Sequence, residues 1–179
     1  MQFIFWQTIS PDWTYFILFL VTILCLVGIS ELLLKQNILS ADASRIIIHC
    51  TVGMACSLSP FLFISKSPPI LLGFIFLILN ATALKLEKFK GIHSQERLSY
   101  GTIYFPLAYL VMVTFFWDFT HYFVISFSIM SIADPLATVV GKSVSKPIQT
   151  RIGDDKKSVQ GSAAMFFFSG IIIYSWSWF

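Results

Sequence analysis

The chain has 179 residues, 56% of them apolar and only 12% charged, with 19 phenylalanines. That composition excludes both an ordinary soluble domain and a disordered segment, and it points to a polytopic membrane protein. The net charge of +3 comes without any interleaving of aromatic and basic residues, so nucleic-acid binding is not expected.

A helix needs about 20 apolar residues to cross a bilayer. Stretches of that kind lie near Trp13–Leu34, Ile46–Ile64, Pro68–Leu84, Gly101–Trp117, Phe119–Val140 and Ala163–Phe179. The sequence therefore predicts an all-α transmembrane bundle of six spans, organised as a single integral-membrane domain over 1–179. The first stretch is too long for a signal-peptide core and has no basic run before it, so it reads as a retained helix. No internal repeat, low-complexity tract or long linker divides the chain.

Basic residues alternate sharply between connections. Lys35 and Arg45 follow the first span, Lys66 alone follows the second, and Lys85, Lys88, Lys90 and Arg97 follow the third. None follows the fourth, whereas Lys142, Lys146, Arg151, Lys156 and Lys157 follow the fifth. Basic loops stay in the cytoplasm, which puts the N-terminus outside and the second, fourth and sixth spans' N-terminal ends at the cytoplasmic face. Cys25, Cys50 and Cys56 sit inside apolar stretches without paired spacing and read as small packing residues. Trp13, Trp117, Trp176 and Trp178 lie near span ends, as in an interfacial aromatic belt.

Charges within spans are costly and mark sites. Arg45 opens the second span, and His49 and Gly53 follow at one-turn intervals on the same face. Asn80 and Glu87 share a face at the end of the third span and read more readily as anchors of the span end than as site residues. Asp134 lies eight residues before Lys142, roughly 12 Å of helix rise inward from the loop, with Thr138 and Gly141 on its face. Pro135 removes a backbone donor, which predicts a kink or break beside the carboxylate; an Asp capping a short helix that starts at Pro135 is the alternative. After the basic loop, Asp154-Asp155-Lys156-Lys157-Ser158 leads through Gly161-Ser162 into the last span, whose amides and dipole face the cytoplasm. An acid that attracts Mg²⁺, followed by lysines and helix-start amides that attract phosphate oxygens, points to a nucleotide.

These residues resemble the CTP-dependent lipid kinases, the group of dolichol kinase, phytol and farnesol kinases and the fungal diacylglycerol kinase. That group carries Asp-x-x-Ala-x-x-x-Gly followed by Lys-Ser/Thr-x-x-Gly-Ser, matched here by Asp134-Pro135-Leu136-Ala137-Thr138-Val139-Val140-Gly141 and Lys157-Ser158-Val159-Gln160-Gly161-Ser162. Arg45 with His49 and the segment Ser99-Tyr100-Gly101-Thr102-Ile103-Tyr104-Phe105-Pro106 extend the resemblance over most of the chain after the first span. Ser145 stands where a second glycine is common, and the last span is shorter than the family's. Phosphatidate cytidylyltransferases share a related Lys-Lys-Thr-x-Glu-Gly motif. Gln160 replaces that Glu and their later signature is absent, which favours a kinase.

The resemblance implies transfer of the γ-phosphoryl group of CTP to a lipid alcohol, a polyprenol, phytol, dolichol or diacylglycerol. Asp134 would hold Mg²⁺, while Lys142, Lys156, Lys157, Ser158, Thr138, Gly141, Gly161 and Ser162 would surround the phosphates. Arg45 would clamp phosphate through its planar fork, and His49, or else Asp134, would accept the alcohol proton. Cytidylyl transfer to phosphatidate and a non-catalytic membrane protein are the competing expectations.

Overall fold

The computed structural model describes residues 11–85, 101–144, 148–152 and 155–178. Apart from connecting turns, these residues are helical except for one short β-hairpin. Helix α1 (Pro11–Lys35) starts with Pro at its first position, where no N–H is needed, and carries Asp12 in its first turn and Lys35 in its last. Its end is closed by Asn37 in the left-handed region, φ 57. The Ile38 amide bonds the Leu33 carbonyl and the Asn37 amide bonds the Leu34 carbonyl, a Schellman closure that satisfies the last carbonyls. Ser40 then caps α2 (Ala41–Ser57), its Oγ accepting from the Ala43 amide at 3.2 Å.

The second apolar stretch is not one helix. It breaks at Leu58, and Ser59–Leu62 forms a separate turn, α3, with Pro60 at its start. Proline has no N–H to continue the α2 ladder. Helix α4 (Ser67–Lys85) also begins with prolines, Pro68 and Pro69, tolerated in a first turn. Helix α5 (Gly101–Phe115) contains Pro106 and has 15 residues, about 22 Å of rise against the roughly 30 Å of a bilayer core. Helix α6 (Thr120–Ser128) runs through a π-helical turn (Ile129–Ala133) into α7 (Asp134–Ser143). Strands β1 (Gln149–Ile152) and β2 (Asp155–Ser158) pair antiparallel and lead into α8 (Val159–Trp176). Among the described residues, four helical segments are long and apolar enough to cross a membrane: Pro11–Lys35, Ser67–Lys85, Thr120–Ser143 and Val159–Trp176.

The chain forms two compact units, one from Met1–Ile48 with Leu58–Thr120 and one from His49–Ser57 with His121–Phe179. In the first, Phe16, Phe63 and Leu72 make a core against which Phe19, Leu20, Ile75, Phe76 and Trp117 pack. Gly73 lets α4 approach α5 closely: a Cβ there would come within 2.7 Å of Leu110. Buried Ser30 on α1 and Ser44 on α2 share a hydrogen bond of 2.6 Å, a small-residue polar contact of the kind that joins helices where lipid gives no hydrophobic drive. Asp12, only 3% exposed, accepts from the Ile64 amide (2.8 Å), the Ser65 amide (2.9 Å) and the Ser65 hydroxyl (2.7 Å). A buried carboxylate needs such compensation. These bonds hold the start of α1 at the level where α3 hands over to α4, so the chain returns by way of α2 and α3 to the height at which α1 began.

The second unit is built on Phe123 and Phe127, whose rings lie 5.1 Å apart, with Val124 and Ala133 also buried. Helix α8 packs on α7 and the π turn, while Phe166, Phe167 and Tyr174 on it remain exposed, at 83%, 62% and 65%. Large apolar side chains left outside a helix of membrane length suit contact with lipid.

Candidate functional site

The kink or break expected at Asp134-Pro135 takes the form of a widened turn without interruption of the helix, and Asp134 lies within α7 and does not cap it. The helix absorbs the proline by widening: the Asp134 amide bonds the Ile129 carbonyl five residues back rather than Met130 four back. Pro135 falls at the second position of α7, where its ring meets no preceding tight turn. The cost is one carbonyl. Met130 O loses the Asp134 amide to Ile129, and the next donor in the widened register is residue 135, which has no N–H.

His49, reaching from α2, supplies the missing donor: its Nε2 lies 2.8 Å from Met130 O. A carbonyl oxygen only accepts, so Nε2 carries the hydrogen and donates. The same nitrogen lies 3.9 Å from Asp134 Oδ2, with the histidine side chain 29% exposed and the aspartate side chain 60% exposed. One turn along α2, Gly53 makes the approach feasible. A Cβ on Gly53 would overlap the Cβ of Ser131 and sit 3.2 Å from its Cα. Ser131 is itself fully buried and donates to the Phe127 carbonyl at 2.7 Å, a local bond that suits the widened turn. The stripe read from sequence as His49 and Gly53 therefore faces the π turn. Arg45, one turn earlier on α2, is exposed and belongs to the first unit.

The junction of α7 and α8 brings together several other candidates. Ser158 caps α8, its Oγ accepting from the Gly161 amide at 3.1 Å. That hydroxyl lies where a Cβ on Gly141 would be, 2.6 Å away, and a Cβ on Gly161 would fall 3.0 Å from the Ala137 carbonyl oxygen. Gly141 and Gly161 thus allow two backbones to cross with the cap hydroxyl tucked between them. Thr138 Oγ1 donates to the Asp134 carbonyl at 3.1 Å and Ser162 Oγ to the Ser158 carbonyl at 3.3 Å, so both hydroxyl protons turn back along their own helices. Their oxygens retain acceptor capacity only. Lys142 is exposed in the last turn of α7. Lys156 and Lys157 contribute backbone to β2 opposite Arg151 and Thr150, and their side chains lie outside the described set, as do Glu87, Arg97 and Tyr100 entirely.

Gln160 has a role that sequence reading missed. Its Oε1 accepts from the Ile148 amide at 3.2 Å, while the Val159 amide donates to the Ile148 carbonyl at 2.9 Å. Together these bonds fasten the start of the hairpin to the start of α8.

Among the described residues no three of His, Cys, Asp and Glu are placed to hold a metal ion together. A resident all-protein metal cage is therefore not what the described residues offer. An open carboxylate such as Asp134 fits a different case, a Mg²⁺ ion shared between one protein oxygen ligand, phosphates and water. Cys25, Cys50 and Cys56 are free thiols.

Comparison with models of known protein families finds no match. Searches of curated proteins and of solved structures likewise find none.

Proposed function

We propose that this protein is a CTP-dependent lipid kinase, which phosphorylates the hydroxyl of a membrane lipid alcohol at the cytoplasmic face of a multi-pass, six-span membrane domain with its N-terminus outside. The observation that carries the reading is the Asp134 carboxylate, open to a ligand within a helix of membrane length and ringed by a proline-adapted π turn. A charged group kept about 12 Å inside a span is expected to face a watered recess, and π turns are frequent at functional sites. The resemblance of the Asp134–Gly141 and Lys157–Ser162 segments supplies the reaction class.

The topology has its own support. The Asp12 bonds to residues 64 and 65 return the chain to the starting height of α1, as an outward and return crossing requires. The one basic residue in that connection is Lys66, while the basic loops lie at the other ends of the helices.

In the reaction the alcohol oxygen attacks the γ-phosphorus, the bond from that phosphorus to the β–γ bridging oxygen breaks, and CDP leaves. The alcohol proton passes to a base. Asp134 suits that task and metal binding through its two oxygens, and Mg²⁺ when bound would neutralise charge on the phosphates. Lys142, Lys156 and Lys157 would meet phosphate oxygens. The lipid tail would reach the site from the bilayer.

Phosphatidate cytidylyltransferase is the second reading, and Gln160 keeps it open. Its carbonyl oxygen accepts a backbone amide, a task open equally to a carboxylate oxygen, so this position does not by itself separate the two activities. Purified protein in lipid with CTP decides between them. Label from the γ-phosphate entering lipid supports the kinase; cytidine entering lipid with release of labelled pyrophosphate supports the transferase; neither, with no Mg²⁺-dependent nucleotide binding, supports a non-catalytic membrane protein.

A further inference from the structure

We infer that His49 is a positioning residue for Asp134 and not the group that receives the alcohol proton. The inference rests on the kinase reading for what Asp134 does, and on geometry alone for what His49 does. Met130 O is left without a backbone partner by two features acting together: the Asp134 amide has moved to Ile129 O, and Pro135 has no N–H. A carbonyl orphaned inside a helix costs stability and lets the turn relax to another register. His49 Nε2–H fills the vacancy at 2.8 Å, and Gly53 permits the close approach of α2 that the bond demands.

The consequence for chemistry is a matter of which hydrogen sits where. The ring nitrogen nearest Asp134, 3.9 Å from Oδ2, is the one committed as donor to Met130 O. It has no lone pair to offer a substrate placed against the carboxylate. It instead fixes the π turn whose last residue precedes Asp134, and so fixes the direction of the carboxylate itself. Groups that orient a metal-binding carboxylate in this way are worth about 10- to 100-fold in metal affinity or activity.

The test compares His49→Gln, whose side-chain amide places an N–H near the position of Nε2, with His49→Ala, which places none. Both are read by Mn²⁺ binding to the purified, lipid-reconstituted protein in the presence of CDP, which supplies the phosphate ligands, using electron paramagnetic resonance, with Asp134→Asn as the reference for lost binding. Kinase turnover and its pH profile are read alongside. The inference expects Mn²⁺ affinity to fall about 10- to 100-fold in His49→Ala and by less than about 10-fold in His49→Gln. It also expects His49→Gln to keep the wild-type pH profile.

Equal loss in both variants overturns it, and a Gln variant that binds Mn²⁺ normally but lacks turnover and one limb of the pH profile overturns it and makes His49 the base. Wild-type protein that binds no Mn²⁺ overturns it too. Wild-type protein that binds Mn²⁺ through Asp134, with His49→Gln retaining what His49→Ala loses, yet transfers no phosphate from CTP, overturns the kinase reading alone and leaves the positioning role standing.

Discussion

Gly53→Ala puts the proposed geometry under direct strain. The new methyl would occupy the space of the Ser131 Cβ and stand 3.2 Å from the Ser131 Cα. Ser131 cannot step aside easily, because it is fully buried, lies in the π turn and is tied to the Phe127 carbonyl at 2.7 Å. Overpacking of this kind costs about 1–3 kcal/mol, whereas replacing a helical glycine with alanine gains up to about 1 kcal/mol. A control separates the two effects. Gly170, on α8, has nothing within 4 Å of where its Cβ would be, so Gly170→Ala shows the helix gain alone. Unfolding both variants in mixed micelles, followed by far-ultraviolet circular dichroism, should find Gly53→Ala less stable than Gly170→Ala by about 1–3 kcal/mol. Metal binding at Asp134 should fall in Gly53→Ala as well, because His49 is pushed away from Met130. If the two variants agree within about 0.5 kcal/mol, the range of an inconsequential surface change, α2 does not press on the π turn and the reasoning fails.

Two further substitutions test other supports. Asp12→Ala leaves two backbone amides and a hydroxyl at residues 64 and 65 without their carboxylate, and because those residues are themselves exposed, the first unit should lose about 1–3 kcal/mol in the same unfolding assay, the range of one hydrogen bond to a charged group; a loss below about 0.5 kcal/mol would show that water satisfies those donors. Gly161→Ala drives a methyl towards the Ala137 carbonyl oxygen, 3.0 Å away, and towards the capping Ser158 hydroxyl, 2.9 Å away; the expected result is separation of α7 from α8, seen as faster hydrogen exchange at the Gly161 amide, and unchanged exchange would mean that the crossing has slack.

Much of this architecture is legible in the residues, though not all for the reasons first suggested. The apolar stretches locate the helices, and Asn37 followed by Ser40 marks the turn between α1 and α2 through ordinary capping chemistry. The break at Leu58 was legible in Pro60, but apolar continuity outweighed it. Pro135 predicts a kink or break because a proline within an α register leaves a carbonyl without its donor and meets a clash; a register that widens by one residue avoids the clash, and sequence periodicity does not reveal that option. The His49–Gly53 stripe was visible from its one-turn spacing, yet the Met130 carbonyl that it serves was not, since backbone groups carry no sequence identity.

Gly141, Ser158 and Gly161 show a different ambiguity. A small residue reads the same in sequence whether it admits a phosphate or another helix, and here it admits α8 against α7. The hairpin is hard to read because its strands, Gln149–Ile152 and Asp155–Ser158, carry one apolar residue and so no alternating pattern. The two-residue Gly153-Asp154 connection between Ile152 and Asp155 was the available signal for it.

The central claim is that Asp134 serves phosphoryl transfer from CTP to a lipid alcohol. The most direct measurement is incorporation of γ-phosphate label from CTP into a lipid-alcohol extract by purified protein with Mg²⁺, run side by side with Asp134→Asn. The account predicts labelled lipid from the wild-type protein and none above background from the variant, although both insert and fold alike. Labelled lipid at equal rates from both proteins, or none from the wild type with any nucleotide, would contradict it.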